Sequence, residues 1–250
     1  MTAFVSGLRL ALTTLTVLPI RPGRIDRRVG GTAMVLAPAV GLALGGALTA
    51  IAWALDGASF APLPIAAVLV VLLVLLTRGL HLDGLADTAD ALGSYRDRER
   101  ALAIMKSPEV GPMGVSAIGL VLLVNIAALT PLVAHREWLA VTVGIALGRT
   151  AITICCRHGV PSARPDGLAV MVADSVPTAI PVIWVGILAI VATVAADRRW
   201  PGLLAAFLVV AATMALLRHV VRRLGGVTGD VLGAACELGT AIALLVLSAG

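Results

Sequence analysis

Long apolar segments dominate this chain and constrain its fold more than any other feature. Of its 250 residues, 59% are hydrophobic and 13% are charged. Inside a bilayer every backbone N–H and C=O must be hydrogen-bonded within the protein, so apolar segments of about 20 residues form helices. The sequence therefore predicts an all-α, polytopic integral membrane protein, in which residues 1–250 form a single membrane-embedded domain in contact with the lipid bilayer.

Seven of the apolar segments are predicted to be transmembrane helices. They are residues 32–55, 65–80, 113–133, 138–156, 176–195, 202–217 and 231–248. The first apolar segment, residues 3–20, contains an arginine and is interpreted as an N-terminal interfacial or re-entrant helix. Residues 98–106 place Leu102 and Met105 on one helix face and charged residues elsewhere. This pattern predicts a short amphipathic helix on the membrane surface.

The basic residues are distributed unevenly between the two predicted sides of the membrane. If the seven segments alternate in direction, one side receives 14 of the 19 Lys and Arg residues. These lie in the loops at residues 21–28, 78–106, 157–164 and 218–223. The other side receives Arg136, Arg198 and Arg199. Cytoplasmic loops carry such an excess, so the first side is predicted to face the cytoplasm. The net charge of +5 does not indicate nucleic-acid binding, because the chain has no basic run and aromatic residues make up 3% of it.

Residues 78–93, RGLHLDGLADTADALG, bring a group of acidic residues directly against an apolar segment. Asp83, Asp87 and Asp90 are spaced i, i+4 and i+7, so on a helix their carboxylates lie on one face. Neighbouring carboxylates repel one another, and a hard divalent cation such as Mg²⁺ would neutralise them. The alternative interpretation is a solvated acidic connecting helix. His81 precedes the acids as a base, a ligand or a helix-start residue, and the spacing does not decide between these roles.

Two charged residues lie inside predicted spans. Arg149 is costly there, by about 2.5–3.5 kcal/mol on insertion scales. We expect it to face inward and meet a phosphate or a carboxylate, and snorkelling toward the interface is the alternative. Glu237 lies two turns into the last span and is a functional-site candidate for the same reason. It follows Asp230 at i, i+7, so both face the same way, although Asp230 or Thr228 would also serve as an ordinary helix N-cap.

Further polar residues near these segments are candidates for phosphate contacts. Asp166 and Gly167 follow a proline in a loop, and this pattern alone predicts a turn. Lys106 belongs to a basic rim near the acidic segment, where phosphate binding competes evenly with anchoring at the interface. Carboxylates for a cation, basic side chains for phosphate and a position at a membrane face together indicate phosphoryl transfer. The reactants would be a nucleotide-activated substrate and an amphiphilic partner.

Two long motifs resemble the signatures of the cobalamin synthase family, also called the adenosylcobinamide-GDP ribazoletransferases. They are HLDGLADTADALG at residues 81–93 and GGVTGDVLGAACELG at residues 225–239. The resemblance continues through ERALAIMKS, VGPMGV, the triplet DGL at residues 166–168 and LTTLTVLPI near the start, and so covers nearly the whole chain. Where many relatives read MKDSRIG, this chain reads MKSPEVG, so Ser107 and Glu109 are given no metal or phosphate role.

The resemblance implies an Mg²⁺-dependent enzyme of the bacterial cytoplasmic membrane, with its active site facing the cytoplasm. Such an enzyme joins adenosylcobinamide-GDP to α-ribazole, or to α-ribazole 5′-phosphate. The products are GMP and adenosylcobalamin or its 5′-phosphate. The residues implied for the metal are Asp83, Asp87, Asp90 and Glu237. Those implied for catalysis are the same four with His81 and Asp230, and those implied for the substrate phosphates are Lys106, Arg149, Thr228 and Asp166. His81 or one of the carboxylates is expected to take the proton of the attacking ribose hydroxyl.

Two other classes of protein share part of this pattern. A CDP-alcohol phosphotransferase also carries an Asp-Gly acidic motif on a membrane helix, but its further spaced Asp residues are not reproduced here. A cation or corrinoid transporter would use intramembrane acids as its pathway, but no related halves are seen and the acids cluster at one face. A homo-oligomer is compatible with the sequence, which leaves the oligomeric state open.

Overall fold

The computed structural model describes residues 2–21, 23, 25–195 and 200–249. In this part of the chain the regular structure consists of twelve α-helices and two isolated β-bridges, without a strand. The helices are α1 (Ala3–Leu15), α2 (Arg27–Val35), α3 (Ala37–Gly57), α4 (Pro62–Leu76), α5 (Leu80–Gly93), α6 (Arg98–Ile104), α7 (Pro112–Ala134), α8 (Trp138–Cys155), α9 (Leu168–Val172), α10 (Ala179–Ala195), α11 (Trp200–Leu224) and α12 (Gly229–Leu247). The predicted all-α fold is therefore confirmed.

The predicted multi-pass membrane character is also confirmed, with fewer full-length spans than expected. Among the described residues, α3, α7, α8, α11 and α12 are each long and apolar enough to cross a membrane. The pair α4 and α5 makes a sixth if the two helices are counted as one broken span. The span predicted at residues 176–195 starts later than the hydropathy pattern indicates, because α10 begins at Ala179 and has 17 residues. Arg198 and Arg199, which entered the charge count, lie outside the described residues.

The two helices predicted to avoid spanning are both present. The first is α1, whose 13 residues extend about 20 Å, which is shorter than the roughly 30 Å hydrocarbon core. The second is α6, which buries Ala101 and Met105 and leaves Leu102 partly buried. Its charged residues remain exposed, as expected for an amphipathic surface helix.

Helix α8 forms the centre of the molecule and is buried along nearly its whole length. It packs most extensively against α3 and α12. The contact with α3 depends on two glycines of that helix. A Cβ atom on Gly41 would lie 2.8 Å from the Cα of Ala146, and one on Gly45 would lie 2.8 Å from the Cα of Thr142. The small residues of α3 therefore let the two backbones touch, as is typical of membrane helices.

The chain turns sharply between α4 and α5. Arg78 and Gly79 both adopt the left-handed conformation, with φ of 57° and 65°, and the two helix axes differ by 87°. Arg78 Nη2 donates a hydrogen bond of 3.0 Å to the carbonyl of Thr13, which holds the bend against α1. The 14 residues of α5 extend about 21 Å, too short to cross the bilayer alone. We therefore treat α5 as lying outside the membrane-spanning segments.

Candidate active site

The acidic helix α5 and the last span α12 cross with their backbones in contact. A Cβ atom on Gly84 would lie 2.6 Å from the carbonyl oxygen of Asp230, and one on Gly233 would lie 3.0 Å from the carbonyl oxygen of His81. Gly84 has no room for a side chain, and a Cβ atom on Gly233 would require the neighbouring backbone to shift by a few tenths of an ångström. This close crossing brings Asp83, which precedes Gly84, to the start of α12, where Asp230 lies in the first turn. The two motifs that sequence pattern singled out therefore meet.

A cavity of about 280 Å³ opens beside this crossing. Its wall is formed by α1, α2, α5 and α8, by the loop that precedes α9, and by the start of α12. The charged side chains that line it are Asp83, Arg164, Asp166 and Asp230, and His81, Thr14 and Thr228 also contribute. Three carboxylates face one guanidinium, so the lining of the cavity is negatively charged overall.

The sequence left open whether Thr228 or Asp230 caps the last span, and the structure gives the two residues different roles. Thr228 is the N-cap of α12, since its Oγ1 accepts a hydrogen bond of 3.3 Å from the N–H of Val231. The same hydroxyl donates to Oδ2 of Asp230 at 3.1 Å. The Nη1 atom of Arg164 lies 3.8 Å from that oxygen. The Asp230 carboxylate is thus held at the cavity wall, at a helix N-terminus that favours negative charge.

Asp87 lies one turn along α5 from Asp83 and is half-buried. Burial, followed by the negative charges of Asp230, Asp83 and Asp90, raises the pKa of Asp87 to about 6. Arg164 acts in the opposite direction and lowers this pKa. The charges of both motifs therefore act on the pKa of Asp87, as is expected where carboxylates are grouped without a cation.

Asp90, the third member of the acidic series, makes a different contact. Its Oδ2 accepts a hydrogen bond of 2.7 Å from the N–H of Gly111, and its Oδ1 accepts one of 2.9 Å from the N–H of Gly114. These donors are the free N–H groups at the start of α7. The carboxylate fills the space above both glycines, where a Cβ atom would collide with it. The structure thus places Asp90 as a cap for α7, and its predicted metal role is not tested by this contact.

Arg149 and Glu237 lie deeper in the protein and do not line the cavity. Arg149 is fully buried, and its Nη1 donates to Oγ1 of Thr240 at 3.2 Å and to the carbonyl of Ile145 at 3.5 Å. Its Nε and Nη2 atoms have no hydrogen-bond partner among the described residues. Glu237 is 6% exposed. The prediction that Arg149 faces inward is confirmed, and the snorkelling alternative is wrong.

His81 belongs to the wall of the cavity and is close enough to Arg149 to feel its charge. It is 3% exposed and lines the cavity, and within the described residues neither of its ring nitrogens has a hydrogen-bond partner. Burial and the positive charge of Arg149 lower the pKa of His81 to about 3. The imidazole is therefore neutral at ordinary pH and has one donor and one acceptor free.

Lys106 reaches the rim of the cavity from the end of α6. Its Nζ donates a hydrogen bond of 2.9 Å to Oδ2 of Asp166, and both side chains are exposed. This hydrogen bond and the charge of Lys106 lower the pKa of Asp166. Two of the four residues assigned to phosphate contacts are thus paired with each other, and Asp166 does more than form a turn.

Arg164 is the charged lining residue that sequence reasoning missed. It entered the sequence analysis as one more positive charge of a loop, although it lies two residues before Asp166 in the same segment. Its Nη2 donates to the carbonyl of Leu102 at 2.8 Å, which ties the loop to α6. The position of Arg164 beside the DGL triplet was the one sequence feature that could have identified it. A loop residue has no helical periodicity from which the direction of its side chain could be predicted.

The donor set of the cavity fits a hard divalent cation. Asp83 and Asp230 line the same cavity from different helices, and Asp87 shares their field. No three His, Cys, Asp or Glu side chains of the described residues lie close enough to hold a metal by themselves. Mg²⁺ in proteins commonly takes one or two carboxylates and completes its octahedron with substrate phosphates and water. The residues present match that mode.

The fold and the cavity together define a polytopic helical membrane protein with an acidic cavity where its two sequence motifs meet. The chain belongs to the cobalamin-5-phosphate synthase family, whose model matches residues 7–248. The resemblance carried by the two long motifs is thereby confirmed.

Curated relatives match over nearly their whole length. An adenosylcobinamide-GDP ribazoletransferase of Frankia casuarinae is 42% identical, covering 96% of this chain and 93% of the relative. Enzymes of the same name from a Nocardioides species and from Stutzerimonas stutzeri are each 40% identical, covering 96% and 92% of this chain and 97% and 93% of the relatives. No solved structure matches the chain.

Proposed function

We propose that this chain is an adenosylcobinamide-GDP ribazoletransferase. The relatives that match nearly end to end carry that name. The observation on which the proposal rests is the cavity that Asp83 and Asp230 share, because the two family motifs form it by crossing at Gly84. The acidic groups that would bind a cation line this cavity from two helices, which suits a diphosphate substrate.

The reaction joins adenosylcobinamide-GDP and α-ribazole, or α-ribazole 5′-phosphate. The ribose hydroxyl oxygen forms a bond to the phosphorus on the corrinoid side of the diphosphate. The bond between that phosphorus and the bridging oxygen breaks, and GMP leaves with the bridging oxygen. The hydroxyl proton passes to a carboxylate of the acidic wall, so atoms and charge balance. Catalysis then consists mainly of positioning and charge stabilisation by the protein.

We propose that Mg²⁺ is bound by Asp83 and Asp230, with Asp87 contributing to the field that attracts it. A bound Mg²⁺ would neutralise charge on the diphosphate and on the leaving GMP. The cavity lining carries more negative than positive charge, so an anionic diphosphate would be repelled without a cation. Asp87, Asp90 and Glu237 were also predicted to hold the metal, whereas Asp230 was predicted as a catalytic residue. We propose supporting roles for Asp90 and Glu237, because Asp90 caps α7 and Glu237 lies beneath the cavity.

Several side chains are suited to hold the reactants. His81 is better placed to orient the attacking hydroxyl than to remove its proton, because a pKa of about 3 makes the imidazole a weak base. Lys106 and Thr228 are proposed to contact phosphate oxygens at the rim and at the start of α12. Arg149 is proposed to act on the phosphates through the field of its buried charge, since it does not reach the cavity.

We further propose that the cavity faces the cytoplasm of a bacterial plasma membrane. The proposal is supported by the excess of Lys and Arg in the loops on the side of α6, the loop before α9 and the end of α11. Nucleotide substrates are also found on that side. Self-association into a homo-oligomer stays a prediction, which light scattering of the detergent-solubilised protein would test.

The decisive test uses purified protein in detergent or nanodiscs with Mg²⁺. GMP release is measured by chromatography with GDP-cobinamide and α-ribazole, and separately with CDP-diacylglycerol and an alcohol. We expect GMP only in the first mixture, with a corrinoid product that contains the ribazole. Release of CMP in the second mixture, or corrinoid counterflow into proteoliposomes without chemistry, would instead support one of the two alternative classes.

A further inference from the structure

The charges that line the cavity draw attention to Arg164, whose function has not yet been assigned. Among the described residues that line it, Arg164 is the one permanently charged cation, opposite Asp83, Asp166 and Asp230. A diphosphate that enters this cavity meets three carboxylates, so it needs a donor that belongs to the protein as well as a metal ion. The proposed chemistry makes the position of this guanidinium important.

The guanidinium of Arg164 is held in place, but not all of its donors are used. Nη2 donates to the carbonyl of Leu102 at 2.8 Å, and Nη1 lies 3.8 Å from Oδ2 of Asp230. Nε is buried and has no hydrogen-bond partner in the described part of the chain. Arginine carries five N–H donors in a rigid fork. These contacts fix the orientation of the side chain. The donor left for an acceptor at the cavity is Nη1, because Oδ2 of Asp230 lies beyond hydrogen-bond distance from it and it is not among the buried unpartnered atoms.

The other candidate cations are less available for this task. Lys106 is engaged by Asp166 at the exposed rim. Arg149 is fully buried below the cavity and is bonded to Thr240. The side chain of Arg164 is 15% exposed and lies at the wall itself. A planar guanidinium also matches phosphate oxygens better than an ammonium does.

We propose that Arg164 binds the diphosphate of the nucleotide-activated substrate directly, through Nη1 of the guanidinium. The inference rests on the proposed function for the identity of that substrate. Asp230 and the carbonyl of Leu102 are the positioning partners that hold the guanidinium ready, so α6 contributes to substrate binding through its backbone. Arg164 is thus a substrate-binding residue supplied by a loop that the two family motifs do not include.

The test is the affinity for GDP, which contains the diphosphate and requires no turnover. Isothermal titration in the presence of Mg²⁺ compares wild-type protein with Arg164→Gln and Arg164→Lys. We expect Arg164→Gln to weaken GDP binding about 10- to 100-fold, the range for loss of a hydrogen bond between charged groups. Arg164→Lys should fall between the two, because it keeps the charge and loses the fork. The KM for α-ribazole, which has no phosphate, should stay within about twofold of wild type.

The matched control is Arg98→Gln. Arg98 anchors α6 by donating to the carbonyls of Leu224 and Ala163, the residue next to Arg164, and it does not line the cavity. We expect this variant to bind GDP within about twofold of wild type. GDP affinity unchanged in Arg164→Gln, or weakened as much in Arg98→Gln, would overturn the proposal. If Arg164→Gln does not fold, the comparison of Arg164→Lys with Arg98→Gln decides.

The two proposals fail in different ways. Arg164-dependent GDP binding in a protein that releases no GMP from GDP-cobinamide and α-ribazole contradicts the proposed function and supports the role of Arg164. Turnover with GDP affinity that does not depend on Arg164 contradicts the role and supports the function. Wild-type protein that neither binds GDP nor turns over contradicts both.

Discussion

The backbone carbonyl of Asp230 lies 2.6 Å from the point where a Cβ atom of Gly84 would be, so α5 and α12 meet without a side chain between them. The carboxylates of Asp83 and Asp230 project into one cavity from the two sides of this contact. The spacing of the two backbones that carry these acidic residues is thus set by a glycine. Any residue larger than glycine at position 84 would separate the two walls.

Gly84→Ala should therefore lower both stability and activity. Forcing a methyl group into a closed helix crossing costs about 1–3 kcal/mol, and displacement of the crossing by a fraction of an ångström separates Asp83 from Asp230. The measurements are the melting temperature in detergent and the rate of GMP release. Gly46→Ala is the control, because a Cβ atom there meets no atom within 4 Å. Equal effects of the two substitutions would show that the crossing at Gly84 is not special.

Asp87→Asn should produce a protein that is more stable without metal and yet inactive. The pKa of Asp87 is raised from 3.8 to about 6, so the folded protein binds this proton more tightly than the unfolded chain. Stability from this group is therefore present at low pH and is lost as pH rises from about 4 to about 6. At pH 7.5 without Mg²⁺, the variant should melt above wild type in thermal scans, while its GMP release is abolished at every Mg²⁺ concentration.

The same titration predicts the pH dependence of the wild-type enzyme. Protonation of Asp87 below about pH 6 removes a negative charge that attracts the cation, so activity should fall on the acid side. Because Mg²⁺ competes with the proton, the acid limb should move to lower pH as Mg²⁺ is raised. An acid limb that is independent of Mg²⁺ would exclude Asp87 from the metal's surroundings.

Asp90 should behave as a helix cap. Asp90→Ala removes the acceptors for the N–H groups of Gly111 and Gly114, and loss of a cap costs about 1 kcal/mol. Asp90→Asn keeps one acceptor oxygen and should be milder. The discriminating quantity is the Mg²⁺ concentration for half-maximal activity, which should stay near wild type in Asp90→Asn. A large increase there, with an unchanged melting temperature, would assign Asp90 to the metal instead.

Arg149 and Glu237 should be coupled, because each is a buried charge of opposite sign. Arg149→Met removes a cation whose field acts on Glu237 and breaks the hydrogen bond to Thr240, and should cost about 1–3 kcal/mol. The double variant Arg149→Met/Glu237→Gln should recover part of this loss, with a coupling of about 0.5–3 kcal/mol. Thermal unfolding of the four proteins of the cycle measures it. Strict additivity would mean that the two charges act independently.

Much of the fold follows from sequence physics, because apolar length and helical spacing are local properties. The helical class, the amphipathic α6 and the small-residue face of α3 are of this kind. The end of α4 does not follow from local properties. Arg78 and Gly79 adopt left-handed backbone conformations just after this helix, and hydropathy does not encode them. The span predicted at residues 65–80 therefore extends four residues past the end of α4 at Leu76.

The candidate site was predictable in its chemistry and less so in its assembly. Spacing placed Asp83, Asp87 and Asp90 on one helix face, but it could not show that the start of α7 takes the last of them. The depth of Arg149 below the cavity and the position of Arg164 on its wall depend on contacts between segments far apart in the chain. Such contacts have no local signature.

The wall of the cavity is assembled from places as distant in the chain as Thr14 and Gly233. No cut piece of this protein, such as a soluble peptide spanning the acidic motif, retains an intact wall. Truncation mapping would therefore report loss of function for nearly every deletion and locate nothing. Split halves expressed together, broken in the loop between α9 and α10, offer a more informative dissection, because each half keeps its own helices while the shared wall forms on reassembly.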